Sequence, residues 1–217
     1  MLNVVIPEKA GSPLKVLCLG AHADDIEIGC GGTVLKLLET FRDIMVYWVV
    51  LSANAIRKKE AEESAGVFLA DVKEKNIAIK NFRDGFFPYG GAEIKEYFEE
   101  LKGQVDPDLI FTHYRMDLHQ DHRLISELTW NTFRNHLILE YEILKYDGDL
   151  GCPNFFVPLT HSICDRKIKY LFDVFKSQHE NHWFTDETFR STLRIRGIES
   201  NAPHGCAEAF YCRKLVF

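Results

Sequence analysis

The sequence predicts an α/β fold in which helices cover both faces of a mostly parallel sheet. Strand-like and helix-like segments alternate along the first part of the chain, and most of the strand segments are almost continuously apolar. Strands of that kind are typical of parallel sheets that are buried on both faces. Two short polar motifs each follow a predicted strand, which is where such sheets bind their ligands.

Four strands are predicted from runs of apolar and β-branched residues. They cover residues 15–20, 44–52, 76–82 and 109–114, and the third alternates as a strand near a sheet edge does. Helices are predicted where apolar residues recur every three or four positions. They cover residues 27–39 and 57–70, a segment marked by Ile94, Tyr97, Phe98 and Leu101, and residues 121–133.

The remainder of the chain is less regular. A strand is predicted at 137–146 and a short one at 155–159, which Pro158 confines to a sheet edge. Two helices follow, one marked by Ile168 and Leu171 and one at 186–198, and residues 209–217 end the chain as a strand. Because no linker divides these segments, we expect a single domain over residues 1–217.

Composition limits the classes of partner. The 217 residues carry a net charge of −6 and no basic run, which argues against a nucleic-acid partner. No apolar stretch is long enough for an integral membrane segment, and the N-terminus lacks the pattern of a secretory signal. The six cysteines are scattered without a CxxC pair, as in a reduced, cytoplasmic protein. A homo-oligomer is compatible with all of this.

The first polar motif is AHADDIEIGCGG, residues 21–32. A catalytic zinc takes three ligands from His, Asp and Glu and keeps a fourth position for water. We assign His22 and Asp25 as metal ligands and Asp24 as the general base beside the open position. The glycines match neither GxGxxG nor a P-loop, so we predict that they serve close packing of a helix on the sheet.

The second polar motif is DLHQDH, residues 117–122. One of its two histidines, His119 or His122, is expected to complete the metal set, and the other to face the substrate carbonyl. The spacing alone does not decide between them. Asp121 either holds an imidazole in its tautomer from outside the ligand set or caps the helix that begins there. His113, inside an apolar run, is expected to be buried and hydrogen-bonded.

These residues together point to a metal-dependent hydrolase. Two alternatives stay open: a metal-dependent phosphoesterase, which generally needs ligands for two ions, and a non-enzymatic module that binds a nucleotide or a sugar. Arg57 and Arg115 are the best candidates to hold a phosphate or hydroxyl of the substrate.

The two motifs closely resemble the signatures of the PIG-L/LmbE-like zinc-dependent N-deacetylase family. Its first signature, A-H-P-D-D-x-E with a glycine-rich turn, is matched except that Ala23 stands at the proline. The second, D-x-H-x-D-H, is matched in full. Weaker matches are Arg57 at the start of an apolar helix and AEAF near the carboxyl terminus, where Cys206 stands at the family's tyrosine.

The resemblance implies a Rossmann-like fold and removal of an N-acetyl group from an amino sugar of the N-acetylglucosamine type, or its conjugate, with release of acetate. It implies Zn²⁺ as the cofactor, although Fe²⁺ or another divalent ion suits the same ligands. By position, His22, Asp25 and His122 correspond to the ligands, Asp24 to the base and His119 to the imidazole that stabilises the tetrahedral intermediate. Arg57 corresponds to a substrate-holding arginine.

Overall fold

The computed structural model describes residues 4–6 and 11–216. Its centre is one seven-stranded sheet with the order β3-β2-β1-β4-β5-β7-β6. The strands are β1 (Leu14–Gly20), β2 (Ile44–Val50), β3 (Glu74–Ile79), β4 (Leu109–His113), β5 (Leu137–Tyr141), β6 (Phe155–Pro158) and β7 (Ala207–Cys212). The first five are parallel, and β7 runs antiparallel to both β5 and β6. The predicted mostly parallel α/β sheet is therefore confirmed.

In the part of the chain that the structure describes, six α-helices cover the two faces of the sheet: α1 (Asp25–Thr40), α2 (Ala55–Phe68), α3 (Gly91–Gln104), α4 (Gln120–Thr132), α5 (His161–Val174) and α6 (Asp186–Glu199). Helices α1, α2, α5 and α6 share one apolar core, and α3 and α4 share another. Alternate residues of β1 enter opposite cores, Val16 and Cys18 one and Leu17 and Leu19 the other. This is why the strand is apolar at nearly every position.

Most predicted strands end slightly earlier in the structure, and two of them are shorter by three residues or more. The strand predicted at 137–146 ends at Tyr141, since the next residue, Glu142, turns away to pair with Arg196 of α6. The last strand ends at Cys212 instead of continuing towards the carboxyl terminus. The prediction that Pro158 lies on a sheet edge is confirmed, because β6 is the outermost strand beside β7.

The glycines of the first motif allow α1 to approach the sheet closely. A Cβ atom on Gly29 would lie 2.2 Å from the ring of Tyr141, and one on Gly32 would lie 2.6 Å from Leu159 and 2.9 Å from a carboxylate oxygen of Glu208. Those oxygens accept hydrogen bonds from the backbone N–H groups of Gly32 and Thr33. The glycines therefore serve packing, as the sequence predicted.

The topology gathers the two polar motifs at one edge of the sheet. Strand β1 lies between β2 and β4, so the chain leaves β1 in one direction and returns to its other side with β4. Parallel sheets have a crevice at such a switch point, outside the carboxyl ends of the strands. Both motifs start there, the first directly after β1 and the second four residues after the end of β4. Among the described residues, no helix has the length and apolarity that crossing a lipid bilayer requires.

Candidate metal centre

The two motifs meet, although they are about a hundred residues apart in the chain. His22 Nδ1 lies 3.1 Å from His122 Nε2 and 3.4 Å from Asp25 Oδ2, and His122 Nε2 lies 3.6 Å from Asp25 Oδ1. Three ligands of a tetrahedral zinc ion, each about 2.1 Å from it, are separated by about 3.4 Å. The measured distances, which involve both oxygens of Asp25, are close to that separation.

Helix starts hold the motif residues in place. Helix α1 begins at Asp25, whose Oδ2 accepts the backbone N–H of His22 at 2.6 Å. Helix α4 begins after His119, whose Nδ1 accepts the backbone N–H of Asp121 at 3.3 Å. Asp121 therefore does not cap α4, and the capping alternative was wrong. The positive ends of both helices face the site and favour its carboxylates.

Asp117 orients the imidazole of His122. Its Oδ2 lies 2.9 Å from His122 Nδ1, so this nitrogen donates a proton and the lone pair of Nε2 faces the site. Burial would raise the pKa of Asp117, but the hydrogen bond from His122, with the nearby charges of His113 and Lys145, lowers it to about 2. Asp117 is the first residue of the second motif, and no role was predicted for it.

Carboxylates also surround the second nitrogen of His22. Its Nε2 lies 3.1 Å from Asp84 Oδ1 and 3.5 Å from Asp121 Oδ2. Burial opposes protonation of His22, but Asp121, Asp25 and Asp84 together raise its pKa well above the ordinary value. Asp121 also accepts the backbone N–H groups of Gly85 and Phe87, so it ties the loop after β3 to the site. Asp84 was not singled out from the sequence, since no motif surrounds it.

His113, at the end of β4, is fully buried and hydrogen-bonded, as expected. Its Nε2 accepts the N–H of Ala21 at 2.9 Å and lies 3.2 Å from Asp25 Oδ2, and its ring stacks on His122. It therefore adds to the groups that could hold an ion. Three further sets of side chains have ligand atoms close enough together to hold one metal ion. They are His22, His119 and His122; Asp25, His113 and His122; and His22, Asp84 and Asp121.

Asp24 is buried next to an arginine. Its Oδ1 lies 2.7 Å from Arg57 Nη2. Burial raises the pKa of Asp24, and the positive charge of Arg57 opposes that rise. Arg57 also donates to Glu60 and Ser177, both at 3.2 Å. The structure thus places Arg57 against the predicted base, where it is mostly buried.

Of the other two predicted residues, His119 lies beside the centre. The ring of His119 is half-buried, with its centroid 5.0 Å from that of His22 and 4.6 Å from that of His122. Burial and the charges of His122 and His22 lower the pKa of His119. Arg115 has an exposed side chain on the loop after β4, and its backbone N–H donates to Glu140.

No role was predicted for Glu27 of the first motif. It is fully buried, and burial raises its pKa to about 8, although the nearby Ser64 hydroxyl opposes the shift. The signal that could have drawn attention to it was the family signature, which includes this glutamate.

Comparison with solved structures shows the same fold in several proteins. N,N'-diacetylchitobiose deacetylase from Pyrococcus horikoshii is 23% identical, with a TM-score of 0.66 over 92% of this chain and 83% of the other. The hydratase GalB from Pseudomonas putida KT2440, which acts on 4-carboxy-2-hydroxymuconate, is 14% identical with a TM-score of 0.73 over 94% and 97%. The zinc-inhibited form of teicoplanin deacetylase Orf2 is 13% identical with a TM-score of 0.71 over 91% and 97%.

These identities are low enough that the structural matches establish the fold alone. The sequence itself matches the PIG-L model, described as GlcNAc-PI de-N-acetylase, over residues 17–133. That match covers more than half of the chain and contains both polar motifs. The chain therefore belongs to the PIG-L family.

Proposed function

We propose that this protein is a metal-dependent hydrolase that removes the acetyl group from an N-acetylated amino sugar or its conjugate and releases acetate. The observation that carries the proposal is the arrangement of His22, Asp25 and His122 at metal-ligand spacing, with Asp24 adjoining Asp25 in the same loop. The activities of the chitobiose and teicoplanin deacetylases agree with this reaction.

His22, Asp25 and His122 would hold the metal, and Zn²⁺ is the ion we propose. When bound, the ion would polarise the acetyl carbonyl and lower the pKa of a bound water to about 7. Nitrogen and carboxylate ligands also suit Fe²⁺. The teicoplanin deacetylase has a zinc-inhibited form, so the activating ion must be measured.

Asp24 accepts the proton of the attacking water. Its burial favours this role, because a carboxylate removed from solvent gains basicity. Arg57 limits the gain and keeps Asp24 ionised before the reaction. The proton then passes to the sugar nitrogen as its bond to the acetyl carbon breaks, so that the amine leaves neutral.

His119 stabilises the oxygen that becomes negative in the tetrahedral intermediate. Its Nδ1 accepts a backbone N–H, which places the imidazole proton on Nε2. Its lowered pKa favours the neutral imidazole, which can donate a hydrogen bond from Nε2. Removal of a donor of this kind typically costs about 3–4 kcal/mol of transition-state stabilisation.

Arg115, whose exposed side chain lies on the loop after β4, is proposed to contact the substrate. Arg57 could reach the substrate only by sharing its guanidinium with Asp24, Glu60 and Ser177. We therefore propose that Arg57 mainly positions the base.

The test is a screen for acetate release over free, nucleotide-linked and lipid-linked N-acetylated sugars, each with and without a chelator. We expect release from at least one class, lost on chelation and restored by one divalent ion. The variant Asp165→Asn, which changes an exposed aspartate on α5, should release acetate at the rate of the unaltered protein. Tight binding of two ions together with phosphate release would establish the phosphoesterase instead. Sugar or nucleotide binding without turnover would establish a binding module.

A further inference from the structure

We propose that Lys145 is a positioning residue for the metal centre: it binds Asp117 and thereby holds His122 in the orientation that the metal needs. The inference rests on the proposed metal site, but it concerns Lys145, which neither motif contains. Lys145 lies in the loop after β5, residues 142–154, at the same sheet edge as the site.

Lys145 bridges two buried carboxylates. Its Nζ lies 3.0 Å from Asp117 Oδ2 and 2.5 Å from Asp149 Oδ2. The side chains of Asp117 and Asp149 are only 2% and 7% exposed, and that of Lys145 is 13% exposed. Ion pairs this far from solvent are screened little, so all three side chains depend on one another.

Both carboxylates hold the loop that carries the catalytic histidines. Asp117 Oδ1 accepts the backbone N–H of His119 at 2.7 Å, and Asp149 Oδ2 accepts that of Leu118, also at 2.7 Å. Asp117 Oδ2 meets Nδ1 of His122 at 2.9 Å as well. Lys145 therefore links the two carboxylates that make these three contacts with the second motif.

Both ends of the Lys145 loop are anchored to helix α6. Arg196 forms two short hydrogen bonds with the carboxylate of Glu142, and its Nη2 donates to the carbonyl of Gly151. Glu142 and Gly151 enclose Lys145 and Asp149 in the chain. The loop thus lies between α6 and the second motif, and Lys145 and Asp149 make its contacts with that motif.

Removal of the lysine charge has a specific consequence. In Lys145→Met, Asp117 and Asp149 face one another without a cation between them, and their repulsion disturbs the hold on His122. In Lys145→Met/Asp149→Asn, one of those charges is gone, and Asp117 pairs with His122 without repulsion from Asp149. The proposal therefore predicts that the second substitution partly reverses the effect of the first.

The experiment measures the affinity of metal-free protein for Zn²⁺ by competition with a chelating dye. We expect Lys145→Met to raise the Kd for Zn²⁺ by about 10- to 100-fold, the range for changes behind a metal-binding histidine. Lys145→Arg should remain within about threefold of the unaltered protein. The double variant should bind Zn²⁺ more tightly than Lys145→Met. The matched control is Lys169→Met, which removes a lysine with the same four-residue spacing to its aspartate on the exposed face of α5.

Unaltered Zn²⁺ affinity in folded Lys145→Met, or a double variant weaker than Lys145→Met, would overturn the proposal. If Lys145→Met alone does not fold, the double variant is compared with Asp149→Asn, and equal affinities of those two would also overturn it. Hydrogen exchange of the Leu118 and His119 amides in metal-free protein gives a second readout, with faster exchange expected in Lys145→Met. Neither measurement uses turnover, so failure of the deacetylase assay would leave this test intact.

Discussion

Nη2 of Arg57 lies 2.7 Å from Oδ1 of Asp24, so a helix outside both polar motifs makes direct contact with the proposed base. The same guanidinium is held by Glu60 and Ser177 and lies 5.2 Å from the ring centre of Phe175. Because of this contact, Arg57 can act either by positioning the base or by holding the substrate, and kinetics can tell the two roles apart.

Substitution of Arg57 by methionine should lower kcat by about tenfold or more with a smaller change in KM, because the base loses its partner. An arginine that only held the substrate would instead raise KM at constant kcat, since it contributes equally to ground state and transition state. Steady-state kinetics on the substrate found in the acetate screen separate the two. Arg190→Met on the exposed face of α6 is the control.

Asp24→Asn should fold and bind the metal but turn over about 10²–10⁴ times more slowly, because an amide cannot take the proton of water. Metal content is checked by elemental analysis of the same sample that is assayed. Wild-type turnover in a metal-loaded variant would show that another group is the base.

The two histidines of the second motif should separate into different defects. His122→Ala should lose the metal, since Nε2 of His122 is one of the three donors. His119→Ala should keep the metal and lose turnover, because its imidazole contributes a donor to the intermediate. Metal stoichiometry and kcat of both variants test this. Metal retained by His122→Ala and lost by His119→Ala would make His119 the ligand in place of His122. Loss of the metal by both variants would favour the set of His22, His119 and His122.

Metal affinity should increase with pH across the neutral range. The pKa of His22 is raised in the metal-free protein, so below that pKa the imidazole carries a proton that the ion must displace. As pH rises, fewer protons compete and the apparent Kd falls. Calorimetric titrations with Zn²⁺ in buffers of different ionisation enthalpy should show proton release. Binding without proton release at slightly acid pH would contradict the shift.

Gly29→Ala should destabilise the fold by about 1–3 kcal/mol, the usual cost of overpacking. Its new Cβ would lie 2.2 Å from the ring of Tyr141, so helix or strand must move. Gly66→Ala in α2 is the matched control, because nothing lies within 4 Å of its Cβ position. The control should be neutral or stabilise by up to about 1 kcal/mol. Denaturant unfolding of both measures the difference.

The sequence by itself determined the order and type of most elements. Apolar runs such as Val46–Val50 of β2, and the spacing of Ile94, Tyr97, Phe98 and Leu101 in α3, are local patterns that burial in a layered fold requires. The two motifs also come soon after β1 and β4, so general topology predicts which edge of the sheet carries them. The length of β5 could not, because it ends where Glu142 meets Arg196, a residue much later in the chain.

Only the tertiary structure decided that Arg57 contacts Asp24 and that Asp84 and Lys145 join the site. Arg57, Asp84 and Lys145 come from the segments after β2, β3 and β5, and their contacts depend on the order of strands in the sheet. A periodic pattern reports which face of an element is buried but not which element lies opposite. The partners of a buried charge are therefore set by the packing of the whole chain, and those partners fix the pKa of Asp117 and the orientation of His122.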